Sequence, residues 1–268
     1  MPSARALLFL LLAGVSLNAC RPDTVELNYH YPEQTVITYR MDAAASARWD
    51  IGGEGSGSYH VVLDVTERVS GEENGGAVVT VEMTPISVDE DNLPSPGSDP
   101  RSFSLRIGPS GDVREVIEVD GVPATALDPD ELAFIGTYRP PLPLEPVGLG
   151  DEWESEQNVQ VGSVFQQVVT LGELEGLRRD GDAKVAELTY RGRGPLVWAT
   201  ELPQGEADLT GSATSRGAAE IDIDRGLLRS ATSSTRGRFE VRVSPSDQQA
   251  PVTGSLQLDL KLRLAIDD

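Results

Sequence analysis

The residue with the clearest potential chemistry is Cys20, the only cysteine in the 268-residue chain. It follows a segment in which Arg5 precedes an apolar stretch over residues 6–15, and Ala19 stands immediately before the thiol. A charged start, a short apolar stretch and a small residue before a cleavage point are typical of an export signal, and the stretch is too short to remain as a membrane-spanning helix. The sequence therefore predicts an exported chain whose single thiol lies next to a processing site.

The tetrapeptide Leu17-Asn18-Ala19-Cys20 resembles the lipobox of bacterial lipoproteins. This resemblance implies lipidation of the Cys20 thiol, cleavage before Cys20 and anchoring of the mature chain to an envelope membrane. Arg21, in place of an aspartate, implies the outer membrane if the host is Gram-negative. One acyl chain anchors a protein only marginally, whereas two or more hold it firmly, because each buried methylene contributes about 0.8 kcal/mol. An ordinary secretory signal that happens to leave a cysteine is the alternative.

Histidine chemistry is limited to His30 and His60. His60 alternates with Tyr59 and Val61 in a strand-like run, so we predict that its side chain is exposed or at a sheet edge and is not a general base. The chain contains no His-Glu-x-x-His sequence, no Gly-x-Ser-x-Gly sequence and no phosphate-binding glycine loop. We therefore predict no catalytic residues, no cofactor and no metal ligands.

Carboxylate pairs are the remaining candidates for acid–base chemistry. Their members lie two residues apart and so share one face of a strand; the pairs are Asp222 with Asp224, Glu152 with Glu154, and Glu118 with Asp120. A glycosidase needs one carboxyl in a desolvated pocket with a raised pKa. Nothing near these pairs predicts such burial, and chance pairs are expected in so acidic a chain. An envelope hydrolase that uses carboxylates is accordingly our third functional hypothesis.

Residues 89–101 are rich in aspartate, proline and serine, and we predict a loop there. The sequence Asp89-Glu90-Asp91-Asn92 resembles the start of a calcium-binding loop, but Pro94 stands where an EF-hand has glycine. Whether this acidic loop binds cations stays open. The tryptophans Trp49, Trp153 and Trp198 are candidates for a ligand surface, although core packing is the favoured role because aromatic residues make up only 5% of the chain.

Charge excludes one class of partner. The chain has 22 lysine and arginine residues against 43 aspartate and glutamate residues, which gives a formal net charge of −21. Nucleic acid is not expected as a partner, because its phosphates would be repelled. We interpret the acidity as that of a solvated surface.

Period-two alternation of apolar and polar residues dominates the chain and predicts amphipathic strands. It is clearest near the C-terminus, in Leu256, Leu258, Leu260, Leu262, Leu264 and Ile266. Turn sequences such as Pro109-Ser110-Gly111-Asp112 separate such runs and predict hairpins. We expect an all-β, mainly antiparallel fold with a long curved sheet, half-barrel or sandwich-like, and one short helix over residues 128–136. Residues 52–57 are expected to form a hairpin tip.

The domain organisation follows from these segments. We predict a signal peptide over residues 1–19, a tether over residues 20–34 and a β-rich domain over residues 35–268. A similar order of strands before and after a proline-rich connector, residues 139–150, favours two similar halves, residues 35–138 and 151–268. One interlocked sheet and two separate domains would give the same pattern.

The passage at residues 141–153, Pro-Leu-Pro-Leu-Glu-Pro-Val-Gly-Leu-Gly-Asp-Glu-Trp, resembles a proline-rich, Gly-Asp-x-Trp passage in a family of exported bacterial proteins of unknown function. The resemblance implies strands on both sides of a connector and transfers no catalytic residues. Export, lipidation and long antiparallel strands also resemble envelope lipoproteins and lipid carriers that have a half-barrel sheet closed by helices. This chain departs from those carriers in having little predicted helix.

The leading hypothesis is a noncatalytic envelope lipoprotein that acts as a binding or interaction module. Its expected partners are the membrane, through lipid at Cys20, and either a protein or an apolar ligand. The alternative is a carrier or sensor of an apolar, lipid-like ligand held in a half-barrel. A cavity lined by the C-terminal leucines would favour the carrier, whereas a filled interior would favour a protein partner.

Overall fold

The computed structural model describes residues 24–73, 76–93, 99–127, 139–161, 164–202, 205–245 and 250–267. In this part of the chain the regular structure is antiparallel β-sheet apart from one short 3-10 turn at Ala124–Ala126, which confirms the predicted all-β fold. The helix predicted over residues 128–136 lies outside the described residues, as does Cys20. None of the described helical structure is long and apolar enough to cross a bilayer.

Twelve strands form one sheet. Their bounds are β1 Val36–Asp50, β2 Glu54–Glu73, β3 Gly76–Asp91, β4 Arg101–Ile107, β5 Val113–Val119, β6 Val122–Pro123, β7 Glu152–Val161, β8 Val164–Asp180, β9 Ala183–Leu202, β10 Gly205–Asp222, β11 Leu227–Pro245 and β12 Val252–Ile266. The order across the sheet is β6-β5-β4-β3-β2-β1-β12-β11-β10-β9-β8-β7. Strands β1 to β6 and β7 to β12 are thus two up-and-down meanders, which the β1–β12 ladder joins.

The strand register gives the sheet two distinct faces. Ala45 on β1 lies opposite Leu260 on β12 and Tyr59 on β2, so these three side chains share one face, which we call the inner face. The C-terminal leucines all lie on it because strand side chains alternate with period two. Polar side chains such as Lys261 lie on the opposite, outer face.

The sheet curls toward its inner face. The amide of Tyr29 donates to the carbonyl of Pro109 at 2.8 Å, and the next amide, that of His30, donates to the carbonyl of Gly226 at 2.9 Å. Pro109 follows β4 and Gly226 precedes β11, and these strands are five ladder steps apart, about 24 Å in a flat sheet at about 4.8 Å per step. Two neighbouring amides can reach both carbonyls only if the sheet is strongly curved. The single curved sheet is the half-barrel alternative and not the sandwich.

Two irregular segments cover one end of the inner face, which we call the closed end. They are residues 24–34 and the connector 139–150, and they pair with each other through an antiparallel bridge between Val25 and Val147. The amide of Leu142 also donates to the carbonyl of Ser110 at 2.9 Å. Side chains from both segments, including Leu27 and Leu142, join the main hydrophobic core with residues of strands β1 to β4 and β8 to β12. These segments therefore seal one end of the half-barrel.

The Gly-Asp-x-Trp passage shapes the end of the connector. Asp151 accepts a hydrogen bond from the amide of Gly148 at 2.7 Å, and Gly150 has a φ of 81°, a conformation that favours glycine. The indole of Trp153 donates to the carbonyl of Pro141 at 3.3 Å. Its ring lies against Gly172, where a Cβ would approach the indole to 2.3 Å. The motif thus fastens the connector to the sheet.

Two predicted irregular segments are shorter than expected. The hairpin tip predicted over residues 52–57 is wrong beyond Gly53, because β2 begins at Glu54. Gly55 is instead a strand residue that leaves room for the ring of Trp49, to which a Cβ would come within 2.3 Å. The loop predicted over residues 89–101 is wrong at its start, because β3 continues to Asp91 in register with β2.

Candidate functional site: the inner face of the sheet

The middle of the inner face has a floor of small side chains. On β1, Ala43, Ala45 and Ala47 are 8%, 5% and 3% exposed and follow one another along the strand. They span roughly 14 Å at about 3.4 Å per residue. Val61 and Tyr59 on β2 rise on one side of this floor, opposite Ala43 and Ala45. The three alanines therefore form a low line along β1 that the larger side chains beside it cover almost completely; we call this line the furrow.

Leucines of β12 form the other wall of the furrow. Leu258, Leu260 and Leu262 lie opposite the three alanines on β1, and we call them, with Leu256, the leucine ridge. The leucines of the ridge are all partly exposed, whereas Leu264, on the same strand and face but at the closed end, is 0% exposed. Apolar burial therefore ends abruptly along one strand.

The side chains on β11, on the other side of the ridge, are also small. The β11 residues opposite it are Ser233, Thr235 and Gly237. A leucine side chain between two strands of such small residues stands above its neighbours, and its upper atoms lack the close contacts of a packed interior. The ridge is thus an apolar surface raised between two shallow floors.

Aromatic rings mark the end of the furrow away from the closed end. Leu256 lies between Trp49 on β1 and Phe239 on β11. The Phe239 ring lies against Gly237, as the Trp49 ring lies against Gly55. A second apolar cluster, formed by Ala207, Leu209, Val241 and Val243, packs with Leu256 and Phe239. Leu258 and Leu260 belong neither to this cluster nor to the main core, so they lie in a gap between two packed regions.

A buried polar cluster holds the closed end together. The side chains of Glu67 on β2 and Arg139 in the connector are 1% and 3% exposed and form an ion pair through Oε2 and Nη2. Arg139 Nη1 also donates to the hydroxyl of Tyr31 at 2.8 Å. Its guanidinium lies 5.1 and 5.2 Å from the ring centres of Tyr29 and Tyr31, within the range of a cation–π contact. These contacts join the tether, the connector and the sheet.

Burial shifts the ionisation of the tyrosines in this cluster. It raises the pKa of Tyr31 to about 12 and the pKa values of Tyr29 and Tyr39 further above the usual 10, while the charge of Arg139 opposes each rise. The hydroxyl of Tyr29 donates to the carbonyl of Pro140 at 3.1 Å. These tyrosines are therefore held in the neutral form in the folded protein.

We expect alkaline pH to open the closed end. A tyrosine whose pKa is raised on folding contributes stability that is complete below pH 10 and is lost as the pH rises through its folded pKa, here about 12 for Tyr31. Tyrosinate absorbance and circular dichroism, followed together against pH, should change at the same pH. Ionisation of these tyrosines near pH 10 without unfolding would contradict the buried cluster.

Among the described residues, the structure does not bring the sequence candidates for acid–base chemistry together at one place; they lie on strands β2, β5, β7 and β10 and in the turns after β5 and β10. His60 lies on the outer face, as predicted, with Nε2 3.1 Å from Asp42 Oδ1 and 45% of its side chain exposed. Within the described residues no three histidine, cysteine or acidic side chains are grouped as metal ligands. Asp89 and Asp91 extend along a strand and do not curve around a common point.

The carboxylate pairs have structural partners. Asp222 is 5% exposed, which contradicts our expectation that no member of a pair is buried; its Oδ1 accepts from the amide of Arg225 at 3.0 Å and so caps a tight turn. Asp224 accepts from the amide of Lys184 at 3.0 Å. Asp120 forms an ion pair with Arg101 at 2.5 Å, and Glu152 forms one with Arg191 at 3.2 Å. Glu118 and Glu154 are exposed.

The tryptophans divide between the two ends of the sheet. Trp153 packs against the main core at the closed end, which confirms core packing for this residue. Trp49 is partly exposed at the far end of the furrow, so it contributes to the candidate ligand surface. Trp198 lies on β9 opposite Leu209, and its side chain lies outside the described part of the structure.

The sequence reading missed the Glu67–Arg139 pair, although one signal was present. In β2 the inner-face positions read Val61, Leu63, Val65, Glu67 and Val69, so a single acid interrupts an apolar period. A lone charge at a core position requires a buried partner. The interruption could have predicted that a basic residue reaches this position, but not that Arg139 supplies it.

No protein-family model matches the chain, and no curated protein matches it. Among solved structures, one likeness is to a chain described as "lipid-protein interactions in lipovitellin", with a TM-score of 0.46, 14% identity, and coverage of 89% of this chain and 26% of that one. Another is to OccK2 (OpdF) of Pseudomonas aeruginosa, with a TM-score of 0.20, 8% identity, and coverage of 87% and 98%. This chain thus spans about a quarter of the lipovitellin chain. What it binds has to be inferred from its own contacts.

Proposed function

We propose that this protein is a noncatalytic binding module, tethered to an envelope membrane through lipid on Cys20, that holds an apolar, lipid-like ligand on the inner face of its sheet. One observation carries the ligand proposal. Along β12 the inner face is fully buried at Leu264 and partly open from Leu262 to Leu256, although every one of these residues is leucine. An elongated apolar ligand lying over the furrow and along the leucine ridge would complete the burial of these leucines.

The closed end shows how this fold fills its inner face. There, the side chains of Leu27, Tyr29 and Leu142 project from the two irregular segments and pack onto the sheet. Burial of apolar area contributes roughly 25 cal/mol per Å², so the partly open leucines represent stabilisation that a ligand can supply. The middle of the face is bounded by packed regions at both ends, as a site for a molecule of limited length requires.

The chemistry of the furrow selects for an apolar ligand. Alanine, leucine and valine supply its floor and walls, and the net charge of −21 disfavours a polyanion. The phenol of Tyr59 is the one polar group named in its walls. An acyl chain fits this lining, whereas a sugar would find few hydrogen-bond partners there.

Native mass spectrometry tests the ligand proposal. The mature chain carrying Cys20→Ala, purified from cells without detergent, should show additional mass that is released on denaturation and identified as lipid. A clean apoprotein mass, with no uptake of a fluorescent fatty acid added later, would reject the carrier function and favour a protein partner instead.

The tether makes a separate prediction. Full-length protein should partition with membranes, and Cys20→Ala should move it to the soluble fraction, because the acyl chains attached to the thiol supply the affinity for the bilayer. Fractionation followed by mass spectrometry of the N-terminal peptide measures both changes. Ser16→Ala, which keeps the thiol, is the matched control. If Cys20→Ala remains in the membrane fraction, the lipid anchor is rejected.

A further inference from the structure

An open groove of about 750 Å³ crosses strands β8 to β12, and most of the side chains that line it belong to the outer face. Its floor is low, because Ala218, Thr232 and Ser234 are small side chains. Charged side chains rise on either side. The groove is on the face opposite the leucine ridge, so its occupant is independent of the apolar ligand proposed above.

One wall of the groove is cationic. Arg191 on β9 lies directly opposite Arg216 on β10, and Lys261 on β12 belongs to the same cross-strand row. Like charges directly opposite each other destabilise a sheet. The charge of Arg191 is offset by an ion pair with Glu152, with Nη2 3.2 Å from Oε1. Neither Arg216 nor Lys261 makes an ion pair with any described residue.

Other basic side chains in the described part of this chain, such as Arg238 and Arg263, also make no ion pair with a described residue. Acidic residues outnumber basic ones by 43 to 22, and many arginines on the sheet have a carboxylate within 4 Å, for example Arg40 with Asp64 and Arg236 with Asp259. Arg216 and Lys261 are set apart by their position: they lie in one cross-strand row beside a groove, on either side of Ser234, where an external anion can contact both.

The opposite wall is acidic. Glu173 lies in the cross-strand row next to that of the cations and makes no ion pair within the described residues. Glu175 accepts a hydrogen bond from the hydroxyl of Thr189 at 3.2 Å. Glu173 on β8 lies two ladder steps from Arg216 on β10 and four from Lys261 on β12, and no ion pair joins it to either residue.

We propose that this groove binds a small zwitterionic group, with a phosphate against Arg216 and Lys261 and an ammonium against Glu173 and Glu175. The hydroxyls of Thr232 and Ser234 are available to donate to the phosphate oxygens from the floor. A purely anionic ligand would be repelled by the two glutamates, and a purely cationic ligand would be repelled by the basic row. A phosphoethanolamine group, free or as a lipid headgroup, has the required pair of charges.

Binding of phosphoethanolamine to the full mature chain, followed by calorimetry and by amide shifts in NMR spectra, tests the proposal. Phosphoethanolamine should bind more tightly than inorganic phosphate or ethanolamine. Arg216→Gln and Glu173→Gln should each weaken it about tenfold, the usual scale for one charge-assisted contact. Arg238→Gln and Glu240→Gln, on the outer face of β11 but outside the groove, should leave it unchanged.

Vesicles of phosphatidylethanolamine distinguish the two sources of this group. Binding to vesicles that depends on Arg216 and Glu173, without binding of the free group, identifies a membrane headgroup; the reverse identifies a soluble ligand. The proposal is overturned if phosphate alone binds as tightly as phosphoethanolamine, if Glu173→Gln strengthens binding, or if neither source binds.

Discussion

Replacing Arg139 with methionine is expected to lower the free energy of unfolding by about 3–5 kcal/mol, the range for removing one partner of a buried ion pair. The substitution leaves the carboxylate of Glu67, 1% exposed, without its cation in the closed end of the sheet. It also removes the donor to Tyr31 and the cation over two tyrosine rings. Urea denaturation followed by circular dichroism measures the loss.

Two further variants show whether charge burial is the cause. The double variant Glu67→Gln/Arg139→Met should recover much of the lost stability, since a neutral amide costs less to bury than an unpaired carboxylate. Arg236→Met breaks an exposed pair with Asp259 and should cost only about 0–1 kcal/mol. Equal losses for Arg139→Met and Arg236→Met would show that the Glu67–Arg139 pair is not buried as described.

This pair also connects stability to the proposed binding site. Arg139 belongs to the connector, and Glu67 lies on β2, which also supplies Tyr59 and Val61 to one wall of the furrow farther along the strand. If the pair breaks, the connector loses its charged contact with the sheet, and the closed end that bounds the furrow is weakened. The same variant is therefore expected to lower ligand retention as well as stability.

Local sequence pattern was sufficient to predict the all-β fold and the faces of its clearest strands, but not the start of β2 or the end of β3. The alternation in β12 placed every leucine of the ridge on one face, and the hairpin at residues 109–112 lies between β4 and β5 as expected. Pairing of β1 with β12 was not predictable in this way, because it joins the first and the last strand in chain order. A local sequence pattern carries no information about which segments pair when they are more than 200 residues apart.

The openness of the candidate site depends on those distant pairings. The sequence showed apolar residues at Leu258 and Leu260, but a filled core and an open furrow require the same leucines. What separates the two outcomes is the size of the side chains on the adjacent strands, here Ala45 and Ala47 on one side and Gly237 on the other. That information appears only once the strand order is known.

Ala45→Phe should therefore abolish most ligand binding while the protein remains folded. Ala45 lies between Tyr59 and Leu260, and a phenyl ring added there would occupy the furrow that the ligand needs. Overpacking of this kind costs about 1–3 kcal/mol, or roughly a 5- to 150-fold loss of affinity if the cost falls on the ligand complex. Fluorescent fatty-acid binding and native mass spectrometry measure the loss.

Ala44→Phe is the matched control, because it places the same ring on the same strand but on the outer face. Ala44 lies beside His60 and Lys261, away from the furrow, and its substitution should leave ligand binding unchanged. Thermal unfolding of both variants separates a blocked furrow from a damaged sheet. If Ala45→Phe binds lipid as well as Ala44→Phe does, the furrow is not the binding site, and any lipid found with the protein must lie elsewhere. If only Ala45→Phe loses the ligand at unchanged stability, the gap between the two packed clusters is where the ligand lies.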